Sequence, residues 1–149
     1  MKTSVLLIIA AASFNDQAAF FRALADKESG GNPRAYNKAE DACGLYQIRR
    51  IYVDDCNRIA GRKAFSSADR WDKAKSEQMI TIYLNHYATA KRLGHTPTWE
   101  DKAAIHCAGP RGAEKMKTSK QIQKYVADVI RRMKNEPTRI AGRLCNPER

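Results

Sequence analysis

The stretch Asp26-Lys27-Glu28-Ser29-Gly30-Gly31-Asn32-Pro33 constrains this chain more than any other. Apolar residues at Ala18, Phe20, Phe21, Leu24 and Ala25 run into it with helical spacing, and two glycines and an Asn-Pro break the pattern. Glycine just past a helix, with proline soon after, is a stop signal. Glu28 is therefore predicted on the last turn of a helix, facing a loop. The C-terminal end of a helix disfavours an ionised carboxylate by about 0.3–1 kcal/mol. Lifting a glutamate from about 4.3 to about 6, where it can act as a general acid, takes roughly 2.3 kcal/mol. The dipole alone is insufficient, so a dry pocket must do the rest. The alternative is a solvated glutamate at a frayed helix end.

The 149 residues suit one domain. Lys2, the apolar run Val5 to Ala12 and the small residues Ala10-Ala11-Ala12 read as a signal peptide over 1–12, with a mature chain from Ser13. The run is too short to span a bilayer. A buried N-terminal helix is the alternative. A secreted, extracellular or periplasmic, location is expected. There are four cysteines, Cys43, Cys56, Cys107 and Cys145. In an exported chain an even count predicts two disulfides, in any of three connectivities. No C-x-x-C or H-x-x-x-H spacing supports zinc, and no metal or cofactor is expected. A catalytic domain over 13–136 would leave a tail, 137–149, that a bridge at Cys145 could tether.

Formal net charge is +11, or +10 once Lys2 is removed. Such a surface favours anionic partners: nucleic acid, acidic membranes or an acidic cell envelope. No nucleic-acid motif accompanies the charge. Neither nucleic-acid binding nor stable membrane insertion is expected, and a monomer is.

Asn15 or Asp16 can cap the first helix. Ser29 to Cys43 reads as a polar loop or short hairpin carrying Glu40 and Asp41, followed by the apolar turn Gly44-Leu45-Tyr46-Gln47-Ile48. A second helix is predicted over 51–60, ending at Gly61. A third starts at Asp72, shows one face at Met79, Ile82, Tyr83, His86 and Tyr87, and stops at Gly94. Thr98 and Asp101 form a capping box ahead of Ala103, Ala104 and Ile105, and Gly109-Pro110-Arg111-Gly112 breaks that helix. Ile122, Tyr125, Val126, Val129, Ile130 and Met133 mark the last one. The class is mainly α with a small β element, that is, α+β.

Three segments carry chemistry in order: Glu28-Ser29-Gly30-Gly31-Asn32, then Gly44-Leu45-Tyr46-Gln47-Ile48, then Ile105-His106-Cys107-Ala108-Gly109-Pro110-Arg111-Gly112, with Tyr125-Val126 beyond. This order resembles the lysozyme-like superfamily. One branch is the soluble-type bacterial lytic transglycosylases, with E-S-G-x-N, G-L-x-Q-I, N-A-G-P and a late Y-V. The other is the invertebrate-type, destabilase-like lysozymes. Their C-G-x-x-Q-I, two basic residues, Y and D-C match Cys43 to Cys56, and their I-H-N-G-G-P-R-G matches Ile105 to Gly112 with changes at Cys107 and Ala108.

The resemblance implies a lysozyme-like fold in which helices surround a core and a small hairpin borders a cleft. It implies that Glu28 protonates a glycosidic oxygen. Glycoside hydrolysis then needs a second group at the oxocarbenium-like centre. The family's Asp falls in a window holding Glu40 and Asp41, of which Asp41 is preferred for its shorter side chain. Ser29, Tyr46, Gln47, His106, Gly109 and Tyr125 are the implied substrate contacts. Gln47 reads equally well as a buried amide satisfied by backbone, and Tyr125 as part of the core. Asp54 and Asp55 read as helix-surface or capping residues. Cys107 stands where the family has an asparagine beside the sugar, so an amide is lost there. The implied activity is hydrolysis of the β-1,4 link between N-acetylmuramic acid and N-acetylglucosamine in peptidoglycan. A lytic transglycosylase giving anhydro products, and a non-catalytic basic wall- or membrane-binding protein, are the alternatives.

Overall fold

A computed structural model describes the backbone of residues 3–135 and the side chains of 15–135. Seven α-helices and a three-stranded sheet occupy the described residues. Helix α1 spans Thr3–Ser29 and ends as its sequence requires, with Gly30 and Gly31 at φ 61° and 78° and their amides bonded back to Asp26 and Ala25 carbonyls. Its start differs from expectation. The helix passes through Asn15 and Asp16 without a cap, because nothing between Val5 and Phe14 breaks it.

The hairpin region becomes β1 (Tyr36–Asn37), β2 (Ala42–Cys43) and β3 (Ile48–Arg49), antiparallel in that order. In register, Asn37, Ala42 and Arg49 form one cross-strand row, and Tyr36, Cys43 and Ile48 the other. Helix α2 (Arg50–Ala60) ends on a left-handed Gly61. A 3-10 turn at Ser67–Trp71, which sequence reading missed, leads to α3 (Lys73–Tyr87), capped by Asp72.

Helix α3 stops at Tyr87, short of Gly94. Ala88 leaves helical geometry, and Thr89 caps a separate short α4 (Ala90–Leu93) that Gly94 closes. The buried face of α3 is Ser76, Met79, Ile80, Tyr83, Leu84 and Tyr87, so the apolar stripe is rotated and His86 is exposed. Helix α5 (Trp99–Ala108) carries the expected Thr98–Asp101 capping box, which His95 joins at 2.8 Å from Asp101. Then come α6 (Gly112–Met116) and α7 (Lys120–Lys134).

Phe20 and Leu24 of α1, Met79 and Ile80 of α3, Ile105 of α5 and Val129 of α7 meet in one core. Burying such side chains stabilises the fold by about 1.5–3 kcal/mol each. Helix α1 packs against α7. Lys27 pairs with Asp128 at 3.0 Å and Arg132 with Asp26 along this seam. These pairs therefore register the helix bearing Glu28 against the helix bearing Tyr125.

The two-disulfide expectation is not met among the described residues. Cys43 and Cys56 are buried free thiols and Cys107 is an exposed one. Cys56 Sγ donates to the Met79 carbonyl at 3.3 Å instead of meeting a second sulfur. Cys145 and the tail after Pro137 lie outside the described residues. Among the described residues, no helix is long and apolar enough to cross a membrane.

Candidate active site

The end of α1 opens onto a cleft of about 840 Å³. Sites of roughly 300–1,000 Å³ hold small organic ligands, so this one has room for an oligosaccharide. Four walls build it. Asn37, Ala42, Ile48 and Arg49 of the sheet form one side; α2 contributes Tyr52 and Asp55; α3 contributes Tyr83 and Tyr87; and the end of α5 contributes His106, Cys107 and Ala108. Gly109 and Pro110 turn the chain over it.

Glu28 sits at the root of the cleft with 21% of its side chain exposed. Tyr125 on α7 donates a hydrogen bond to Glu28 Oε1. Burial raises the Glu28 pKa above its ordinary 4.5. The Tyr125 bond and the charges of Lys27 and Arg49 pull it down, the charge of Glu40 pushes it up, and burial prevails. Glu28 is therefore largely buried beside a cleft rather than solvated at a frayed helix end.

His106 is nearly enclosed, with its Nε2 3.8 Å from Glu28 Oε1 and its Nδ1 3.4 Å from the Tyr52 hydroxyl. Burial lowers its pKa to about 4, so the ring is neutral near pH 7 and makes no ion pair with Glu28. Tyr52 stacks on Tyr83 with centroids 4.0 Å apart. Gln47, at φ 49°, lines the cleft while its Nε2 donates to the carbonyls of Ala35 and Gly44 at 3.1 and 3.0 Å. Gln47 is thus a half-buried amide at the cleft wall whose Nε2 is satisfied by backbone.

Three expected residues lie elsewhere. Asp41 is absent from the cleft lining. It sits at φ 47° with its carboxylate 3.5 Å from both Arg50 and Arg70, and 3.4 Å from the Tyr36 hydroxyl. Its neighbour Glu40 lines the cleft instead, ion-paired with Arg49. The left-handed turn at Asp41 separates the two carboxylates, which a side-chain-length argument cannot foresee. Ser29 Oγ donates to the carbonyls of Ala25 and Leu45, locking the helix end to the apolar turn. Tyr46 is 1% exposed, and its hydroxyl donates to Glu77 at 2.6 Å under a separate hollow between α1 and α3.

Other cleft residues escaped the sequence reading. Asp55 is not a surface or capping group: it joins Arg58 and Tyr87 in a hydrogen-bonded cluster at the far end. Only the spacing Asp55, Arg58 on α2 hinted at it. Cys107, where the resemblance put a position beside the sugar, also lines the cleft; its surface is exposed, yet the surrounding wall desolvates the thiol and pushes it up to about 11, so it stays protonated and is a poor nucleophile. Among the described residues, no three His, Cys, Asp or Glu side chains converge as a metal site.

A mainly α domain with a small antiparallel sheet at the lip of a cleft, and a shielded carboxyl at a helix end, is a lysozyme-like architecture. A family model described as Destabilase matches residues 17–129, and the chain belongs to that family. Lysozyme 1 of Crassostrea virginica is 30% identical over 99 residues, 65% of this chain and 51% of that protein. The chain thus spans about half the length of this curated relative.

Proposed function

We propose that the protein is an exported muramidase. Residues 1–12 direct export and are removed, and the mature domain hydrolyses β-1,4 links between N-acetylmuramic acid and N-acetylglucosamine in peptidoglycan. The observation that carries this reading is Glu28, a carboxyl whose pKa burial raises at the root of an oligosaccharide-sized cleft. Family membership and the likeness to an oyster lysozyme support the substrate class.

In this reading Tyr125 occupies Oε1 of Glu28, which leaves Oε2 to carry the proton. Glu28 gives that proton to the glycosidic oxygen as the C1–O bond breaks. Glu40 is the second carboxylate, facing the positive charge that develops on the sugar ring. Arg49 fixes Glu40 in place. His106, neutral and enclosed, shields Glu28 from water and offers a ring nitrogen to sugar hydroxyls. Gln47, Gly109 and Tyr125 shape the subsites beside it.

The Glu40–Arg49 ion pair favours one second reading. A carboxylate engaged in this way is less free to attack, and the sugar's own 6-hydroxyl would then close on C1 as in a lytic transglycosylase. The products separate the two: reducing ends mark hydrolysis, anhydro ends mark transglycosylation.

Glu28→Gln keeps the shape and removes the acid. Turnover of purified peptidoglycan should fall by about 10²–10⁴-fold with thermal unfolding still cooperative. Undiminished turnover by a folded Glu28→Gln protein contradicts the assignment.

A further inference from the structure

Three large hydrophobic side chains are exposed among the described residues: Ile51 at 74%, Tyr36 at 54% and Trp71 at 44%. Ile51 lines the cleft. The other two do not, and they touch each other, with ring centroids 6.1 Å apart and planes at 42°. Tyr36 comes from β1 and Trp71 from the end of the 3-10 turn, so the fold brings them together across 35 residues of sequence (71 − 36).

The pair stands on a fixed base. Asp41 accepts from the Tyr36 hydroxyl at 3.4 Å and is held 3.5 Å from Arg50 and from Arg70. Arg70 is 5% exposed and donates to the carbonyls of Asp41 and Ile48, which ties the turn bearing Trp71 to the sheet bearing Tyr36. The result is an aromatic surface with a carboxylate and a guanidinium at its rim. Neither Tyr36 nor Trp71 lines the cleft, although Ile48, in the same cross-strand row as Tyr36, does.

That chemistry suits a sugar. A pyranose with equatorial substituents offers a face of C–H bonds for stacking, and its edge offers hydroxyl and acetamido groups for Asp41 and Arg50. A protein partner fits poorly. Stable protein interfaces bury about 1,200–2,000 Å², and this island is two half-exposed rings whose chain neighbours Arg34, Lys38, Asp72 and Lys73 are polar and exposed.

We propose that Tyr36 and Trp71 form a second glycan-binding platform, separate from the cleft, that takes one ring of a β-1,4-linked aminosugar polymer. The proposal rests on the reading of the cleft as a glycan site. A cross-linked wall presents neighbouring strands, so the cleft and the platform can hold the polymer together. The second contact is then intramolecular, and residence on the wall rises with no change in the chemistry.

The test pairs two measurements. Sedimentation with insoluble peptidoglycan is done in the Glu28→Gln background, with and without Trp71→Ala. Turnover of a short soluble chito-oligosaccharide is measured with Trp71→Ala alone. Trp71→Ala should weaken wall binding about three- to tenfold, Trp71→Phe should recover most of it, and soluble turnover should be unchanged. Should Trp71→Ala fail to fold, Tyr36→Ser on the exposed strand gives the same comparison. Unaltered wall binding overturns the platform, including where a protein proves to bind this face. A loss that Trp71→Phe does not restore overturns it too. If the parent protein cleaves no glycan, the cleft reading fails, while sedimentation still judges the platform on its own.

Discussion

At the residue scale the balance at Glu28 decides the chemistry. Burial favours the protonated acid, and the Tyr125 hydroxyl favours the anion. A general acid must be protonated, so kcat/KM falls as pH rises through its pKa. Tyr125→Phe deletes the bond that lowers that pKa. The alkaline limb of the kcat/KM profile should therefore move to higher pH; a limb that stays put or moves down contradicts the bond's assigned effect. His106 adds no limb near neutrality, because it is already deprotonated above about 4. Sequence pointed to Glu28, Gln47, His106, Gly109 and Tyr125, and the fold gathers all five around the cleft. It did not distinguish Glu40 from Asp41. Those two are adjacent in a turn, and their directions depend on a left-handed φ at Asp41 that no side-chain pattern reveals. Ser29 and Tyr46 were misplaced for a related reason: their hydrogen-bond partners, Leu45 and Glu77, are distant in sequence.

At the element scale, helices with a cap and a stop were legible. The Gly61 stop, the Thr98–Asp101 box and the α7 stripe all appear as read. Helix α6 was not, since five residues carry no period. The break before α4 was missed because Thr89 caps it from inside what looked like one helix. The turn after β2 depends on Gly44, which has φ 78° and whose added Cβ would lie 2.1 Å from the Arg70 carbonyl oxygen. Left-handed strain and overpacking together predict that Gly44→Ala costs about 2–5 kcal/mol. Gly30, at φ 61° with open space around it, meets the backbone cost only, about 1–2 kcal/mol. Urea unfolding of both variants checks the difference, and equal losses would contradict the close contact at Gly44.

At the scale of the whole molecule, a formal charge of +11, or +10 without Lys2, should draw the protein to anionic walls. The screening length shrinks from about 30 Å at 0.01 M salt to about 10 Å at 0.1 M. Wall turnover should fall across that range while turnover of a neutral chito-oligosaccharide holds steady; equal salt dependence on both substrates would remove charge from the account. Overall class was legible from helical periodicity and the glycine stops. A cleft beside Glu28 was expected from the resemblance, but the walls contributed by α2 and α3 were not, because they form only where α1, the sheet, α2, α3 and α5 converge. The whole account depends on what that convergence does to one carboxyl. Following the side-chain carboxyl carbon of Glu28 by NMR across a pH titration measures it directly. The fold predicts a midpoint above the ordinary 4.5, coincident with the alkaline limb of activity. A midpoint at or below 4.5 would mean that Glu28 holds no proton to give.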